Sequence, residues 1–285
     1  MGEQVSSKQL NGGLGHRNLE FACPACKGSV DEVNEGAEAF RCHTCRRDYP
    51  IISGIPDFRL KPDPFISIEN DRNKGLRVLE RCGESSFADA LDVYYAMTPE
   101  LPQTLVGSYK AHQLAGERIG ELTFRELLRL GVELTQESPL LDLGCGTGGL
   151  LAAASRGSMP AVGVPVVGVD VAFRWLLIAR LRLRKAGFDA LFVCANAEHL
   201  PFSPRTFGTV VASDLIDVSR VGGFVVTGKL RKVGFNETLV SVPEGWKCAG
   251  RQWQFHDEGA DFSGFERLRC AVHNSHVPTR RRFRG

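Results

Sequence analysis

The sequence lacks any long apolar run. None approaches the roughly 18 residues that a membrane-spanning helix needs, so no membrane partner is expected. The first residues, MGEQVSSKQL, have no apolar core, which excludes a secretory signal there. Net charge is also small: 35 Lys and Arg against 33 Asp and Glu leave +2 at pH 7. That is too little to demand nucleic acid as a partner, although the last residues, PTRRRFRG, are basic. An even set of cysteines is missing too. Of the nine present, four form two tight pairs and five (Cys82, Cys145, Cys194, Cys248, Cys270) are scattered. This is poor material for a disulfide framework and fits a reducing, cytoplasmic compartment. No internal repeat is visible. What remains is ordinary globular composition, 43% hydrophobic and 24% charged over 285 residues, a length that suits about two domains.

Composition shifts divide the chain. Residues 1–19 are polar and glycine-rich and read as a disordered leader. Residues 20–60 carry the paired cysteines. KPDPF, with prolines at 62 and 64, is a linker, because proline stops helices and keeps its predecessor extended. It opens a helical segment that runs to residue 135. There Leu114, Arg118, Ile119, Leu122, Leu127 and Leu130 trace a stripe of about 3.6-residue period. From residue 136 to the end the texture is α/β. Short apolar runs at about 139–143, 165–170, 190–194 and 208–213 alternate with helical stretches at 148–157 and 173–186, the pattern of parallel β-α-β units in a doubly wound sheet.

The cysteines stand as Cys23-x-x-Cys26 and Cys42-x-x-Cys45, about fifteen residues apart, a strong zinc spacing. Four thiolates make a closed tetrahedral shell with no open position for water, so the zinc is expected to be structural. A module this small has little core of its own, and structural zinc contributes about 10–16 kcal/mol in small peptides. His43 lies inside the second knuckle and is left as a surface residue, since Cys45 is better placed to ligate. The stretch CPAC…CHTC…YPIISGIPDF resembles the Trm112-like zinc-ribbon family over Phe21 to Phe58. That resemblance implies a docking role toward a protein partner and not chemistry, as members of that family activate methyltransferases or occur fused to them.

LLDLGCGTGG contains Gly144, Gly146 and Gly149 as G-x-G-x-x-G, the spacing usually read as dinucleotide binding. Asp142 argues otherwise. A carboxylate two residues before the first glycine repels a pyrophosphate, which such loops otherwise hold through backbone N–H groups. A P-loop is excluded because no Gly-Lys-Ser/Thr follows. S-adenosylmethionine suits the loop better: it has no phosphate, and its ammonium and sulfonium are both positive. LDLGCGTGG resembles the first motif of class I S-adenosylmethionine-dependent methyltransferases, of the type 11-like group, and further resemblance runs in order to about Val218. VVGVDVAFRWLLIAR supplies a strand ending in Asp170, which the resemblance assigns to the ribose hydroxyls. CANAEHLPF and FGTVVASDLID supply the third and fourth strands. The implied cofactor residues are Asp142, Gly144, Cys145, Gly146, Gly148, Asp170, Val171, Asn196 and Ala197 at the adenine, Glu198 and Ser213. Asp214 is a weak candidate for contacting the acceptor. Cys145 is read as a small loop residue, Cys194 as strand core, and Tyr94 and Tyr95 as helix packing.

The resemblance departs after strand four. Only LIDVSR separates Asp214 from Val221-Gly222-Gly223, too short for the family's next helix at ~1.5 Å per residue. Either that helix is deleted or the chain leaves the pattern, as a shifted reading frame would also make it do; the sheet is then incomplete and residues 219–285 stand apart. The expected function is methyl transfer to a small-molecule or RNA acceptor. A zinc knuckle before such a domain resembles ribosomal-RNA guanine methyltransferases, but no aromatic stacking run accompanies the knuckle. The alternative is a catalytically impaired methyltransferase-like protein that binds partners through its ribbon.

Overall fold

Apolar runs bounded by glycine, proline and polar turns become strands in the places the pattern implies. The structure, a computed structural model, describes residues 19–33, 38–63, 65–83, 85–129, 132, 134–135, 139–155, 164–188, 190–203 and 206–212, together with the backbone of four short strands between residues 223 and 273.

The cysteine module is an antiparallel sheet of β1 (Val30–Val33), β2 (Ala39–Cys42), β3 (Asp48–Ile52) and β4 (Ile55–Pro56), in that spatial order. Three helices follow: α1 (Ile68–Cys82), α2 (Phe87–Ala96) and α3 (Gln103–Arg129). Serines start the first two. Ser67 Oγ accepts from the Asn70 N–H, and Ser86 with Asp89 forms a reciprocal capping box, so orphan donors at both helix starts are satisfied.

The central sheet comprises β5 (Leu140–Leu143), β6 (Val166–Asp170), β7 (Leu191–Cys194) and β8 (Thr209–Ala212), all parallel, in the order β7-β6-β5-β8. Helix α4 (Gly149–Ala154) connects β5 to β6 and α5 (Phe173–Lys185) connects β6 to β7. The chain builds outward from β5 through β7, then crosses back to place β8 on the other side of β5. Ligands bind at such a reversal, outside the carboxyl ends of the strands. Among the described residues no helix follows β8. The next elements are β9 (Gly223–Phe224), β10 (Thr227–Leu230), β11 (Phe235–Ser241) and β12 (Leu268–His273), in a separate sheet ordered β10-β11-β12-β9.

The two faces of the central sheet are covered differently. Successive strand side chains point to opposite faces. Leu140, Val166, Phe192 and Val211 face a core shared with α3, α4 and α5. Leu141, Val167, Val169 and Val193 face Cys23, Cys42, Tyr49 and Phe58 of the cysteine module, with Phe202 and Phe207. A doubly wound sheet would carry helices on both faces. Here, among the described residues, the cysteine module occupies the face where the second helical layer would lie.

The module is also joined to the sheet through its backbone. Asp57 forms a parallel bridge with Cys194, and the Phe58 N–H donates to the Cys194 carbonyl at 2.7 Å. The residues after β4 thus run beside the edge strand β7 through a single bridge. On the other side Phe21 bridges Phe202, and the Ala22 N–H donates to the Pro201 carbonyl at 3.0 Å.

Helix α3 buries a face other than the expected stripe. Leu127 is buried, but Leu114 and Leu122 are exposed, and Leu130 lies outside the described residues. The contact with α4 is made instead through Gly116 and Gly120 backed by Phe124. A Cβ on Gly120 would stand 2.8 Å from the Gly149 carbonyl oxygen and the Leu150 Cα, so the two backbones touch. Tyr94 and Tyr95 are buried, with Tyr94 against Trp175 and the Tyr95 hydroxyl on Gln113 Oε1 at 2.9 Å; they pack helices.

Candidate functional site

Two constellations emerge, one metal-like and one at the strand ends. In the first, each knuckle folds back on its opening cysteine. The Lys27 N–H donates to the Cys23 carbonyl and the Arg46 N–H to the Cys42 carbonyl, with Lys27 and Arg46 both at φ 59. This repeated turn brings the sulfurs of Cys23, Cys26, Cys42 and Cys45 within 4.8 Å of one another. Four thiolates ~2.3 Å from a central zinc lie ~3.8 Å apart, so the donor set fits a tetrahedral ion. The Tyr49 hydroxyl sits 3.0 Å from Cys23 Sγ, within hydrogen-bond reach of that sulfur. His43 is exposed and pairs with Asp31 at 2.5 Å.

In the second, the chain leaves β5 and folds over the tip of β6. The N–H groups of Gly144 and Cys145 donate to the Val169 carbonyl at 2.8 and 3.0 Å. Gly144, Gly146 and Gly148 all have positive φ (76, 50 and 71), a backbone that glycine adopts at little cost. A side chain on Gly146 would meet nothing within 4 Å, so the outer side of the loop is open. The Cys145 sulfur turns inward, toward Gly168; burial pushes its thiol well up, against a role as nucleophile.

Asp142 lies one strand residue beneath this loop and is only 4% exposed. Its register neighbour on β6 is Gly168, and the space over that glycine is taken by the Cys145 sulfur and the Phe192 ring, which offer the carboxylate no strong donor. Among the described residues no hydrogen bond or ion pair reaches its carboxylate. Burial, and then the charge of Asp170, push its carboxyl up to about 8. A buried acceptor without a partner is expensive, and it is the feature that a bound cation relieves.

Asp170 closes β6. Its Oδ2 accepts the Gly146 N–H and its Oδ1 the Ala172 N–H, both at 2.8 Å. Burial raises its carboxyl, and these two donors work against that rise. Asp170 therefore ties the glycine loop to the turn that follows it. The Val171 carbonyl accepts from Arg59 Nη1 at 3.0 Å.

The structure gives Asn196 partners other than the expected adenine. Its Oδ1 accepts the N–H groups of Leu60 and Lys61 at 2.9 and 3.0 Å, and its Nδ2 donates to the Lys61 carbonyl at 3.2 Å. The amide is buried and committed to the segment leaving the cysteine module, whose backbone polar groups need partners. Ala197 is half-buried, and exposed Glu198 pairs with Lys61 at 3.8 Å. Ser213 and Asp214 lie outside the described residues.

One cluster was not legible in the sequence. Arg59, fully buried, donates to both oxygens of Asp57 and to Asp71 at 2.6 Å. Arg174 pairs with Asp71 at 2.6 Å and Asp63 at 3.0 Å, and Arg72 with Asp57 at 2.8 Å. Burial alone would raise Asp57, but the Arg59 and Arg72 guanidiniums hold its carboxyl below the ordinary range. Three carboxylates meet three guanidiniums across separations of up to 111 residues, which no local pattern reveals.

Glycine loop and buried acid stand together at the carboxyl ends of the interior strands β5 and β6, where open α/β sheets bind their ligands. Residues 140–221 match the family model of a methyltransferase domain. The chain is similar to the uncharacterized methyltransferase YodH of Bacillus subtilis (strain 168), 32% identical over 108 residues, which are 38% of this chain and 44% of that protein. It thus spans less than half the length of that relative. Among solved structures, Haemonchus contortus phosphoethanolamine N-methyltransferase 2 with S-adenosyl-L-methionine is 25% identical, covering 45% of this chain and 28% of that one at a TM-score of 0.29. The YcgJ protein of Bacillus subtilis is 24% identical over 31% of this chain and 36% of that one, at 0.26. TM-scores this low carry no weight for the architecture.

Proposed function

We propose that this chain is an S-adenosylmethionine-dependent methyltransferase of the class I type, acting on a small-molecule or RNA acceptor in a reducing, cytoplasmic compartment. The observation that carries the reading is Asp142, a buried carboxylate without a partner among the described residues, set beneath an open glycine loop. Its neutral form costs least in the free protein, and its ionised form is what a cationic ligand stabilises. A diphosphate gains nothing there.

S-adenosylmethionine, when bound, supplies a methyl group already activated on a sulfonium. The chain's own task is placement, worth about 7–11 kcal/mol in well-aligned systems. Asp142 offers charge to the methionine end, the Gly144–Gly148 backbone permits close approach, and Asp170 is available to ribose hydroxyls at the edge of β6. An acceptor that keeps a proton on its attacking atom needs a base; that residue is not identified, and Asp214 is a weak candidate for contacting the acceptor. The four cysteines hold a zinc ion as a Trm112-like ribbon, and the ribbon's outer surface is offered to a protein partner.

Calorimetry with S-adenosylmethionine, NAD and ATP tests the binding reading: only the first should bind. Transfer of labelled methyl groups to cell extract split into RNA, protein and small-molecule fractions then identifies the acceptor. Firm binding of NAD or ATP in preference to S-adenosylmethionine would remove the proposal.

A further inference from the structure

The two loops that this reading sets against the nucleoside are both held by one segment, residues 57–63, which continues directly from the cysteine module. Arg59 reaches the first. Its Nη1 donates at once to Asp71 Oδ2 at 2.6 Å and to the Val171 carbonyl at 3.0 Å. Asp71 in turn accepts the N–H of Phe173 at 2.7 Å and of Arg174 at 3.4 Å. Helix α5 has no side-chain cap of its own at Ala172, so Asp71 caps it from α1 and satisfies donors that would otherwise be orphaned. The Asp170–Phe173 turn is thereby fixed from both sides. The backbone of Leu60 and Lys61 reaches the second loop, through the Asn196 amide.

A buried ion cluster is a poor source of net stability compared with apolar packing. What it provides is direction. The Arg59 guanidinium joins Asp57, Asp71 and the Val171 carbonyl in one plane of donors, which a lysine ammonium cannot reproduce. We infer that Arg59 and Asp71 are positioning residues of the nucleoside site, and that residues 57–63 act as a clamp holding the Asp170–Phe173 turn and the Asn196–Glu198 loop in register. The inference rests on the cofactor reading for the identity of the site, but the clamp itself rests on contacts alone.

Native-state hydrogen exchange on the full chain tests the clamp without any variant. The amides of Phe58, Leu60 and Lys61 and those of Ala172 and Phe173 should open as one cooperative unit as denaturant rises. Opening of 57–63 at lower denaturant, with 172–173 still protected, would overturn it. Calorimetry with S-adenosylhomocysteine then tests positioning. Arg59→Lys, which keeps the charge, should weaken binding about tenfold, the size expected when charge-assisted hydrogen bonds that set a site are lost. Asp71→Asn sets an amide NH2 against donors from Arg59, Arg174 and the start of α5, so it should weaken binding at least as much. A folded chain of either variant that binds as tightly as the parent would overturn the positioning role. Should Arg59→Lys fail to fold, the exchange result and Asp71→Asn still decide. An unmodified chain that binds no S-adenosylhomocysteine would remove the cofactor reading, while co-opening of the two amide groups would still uphold the clamp.

Discussion

Asp142 on β5 and Asn196 after β7 stand at strand ends on either side of β6 but do opposite jobs. Asp142 is unpaired among the described residues and its carboxyl is pushed up to about 8 by burial and by Asp170. Between the ordinary carboxylate range and that value the folded chain keeps a proton that the unfolded chain has lost. Stability from this group is therefore full in acid, falls as pH rises from about 4 to about 8, and is flat above. Asp142→Asn should remove that slope, so the variant is the more stable one at pH 8.5 in urea titrations. The same substitution should weaken S-adenosylmethionine binding at pH 8. It should also abolish the protons released on binding at pH 7, measured by calorimetry in two buffers of different ionisation heat. Unchanged proton release would show that the cation does not sit on Asp142. Asn196, by contrast, has three hydrogen bonds to the 60–61 backbone. Asn196→Ala should cost about 2 kcal/mol of folding stability by leaving those buried groups unmatched. A residue that met only the ligand would change affinity and leave the urea midpoint alone.

At the scale of elements, hydropathy located strands well and helix faces poorly, and the reason is physical. Strands β5 to β7 are covered on both faces, so each is mostly apolar, Asp142 within β5 and Asp170 at the end of β6 being the exceptions, and the strand ends fall where the runs end. The buried face of α3 is set by close approach, which needs an absent side chain more than an apolar one. Gly116-x-x-x-Gly120 makes that approach to Gly149, the residue at which α4 leaves the glycine loop. Alanine is the better helix former by about 1 kcal/mol, yet Gly120→Ala is expected to destabilise by about 1–3 kcal/mol, because its methyl would press on backbone that cannot yield cheaply. Urea unfolding measures the sign. A stabilised variant would mean that the helices separate freely, and that the glycines are not what seats α4.

For the whole molecule, the sequence divides into a cysteine module and a sheet, and the spacing of the four cysteines is legible without any coordinates. What is not legible is that the module and the sheet share one core. Phe58 and Tyr49 lie against Leu141, Val167, Val169 and Val193, contacts set by topology and not by any local period. The module cannot melt without exposing that face. Structural zinc contributes about 10–16 kcal/mol in small peptides, and an ion held by these four cysteines would pass part of that contribution to the sheet through the shared core. Removing the metal with a strong chelator should lower the thermal midpoint of the entire chain in one transition, followed by circular dichroism. It should also raise exchange at Val167, Val169 and Val193, whose side chains face the module. Two separate transitions, with the sheet melting at its original temperature, would show that the module is an appendage. The shared core predicts the single transition, since the face left bare has, among the described residues, no helical layer to cover it.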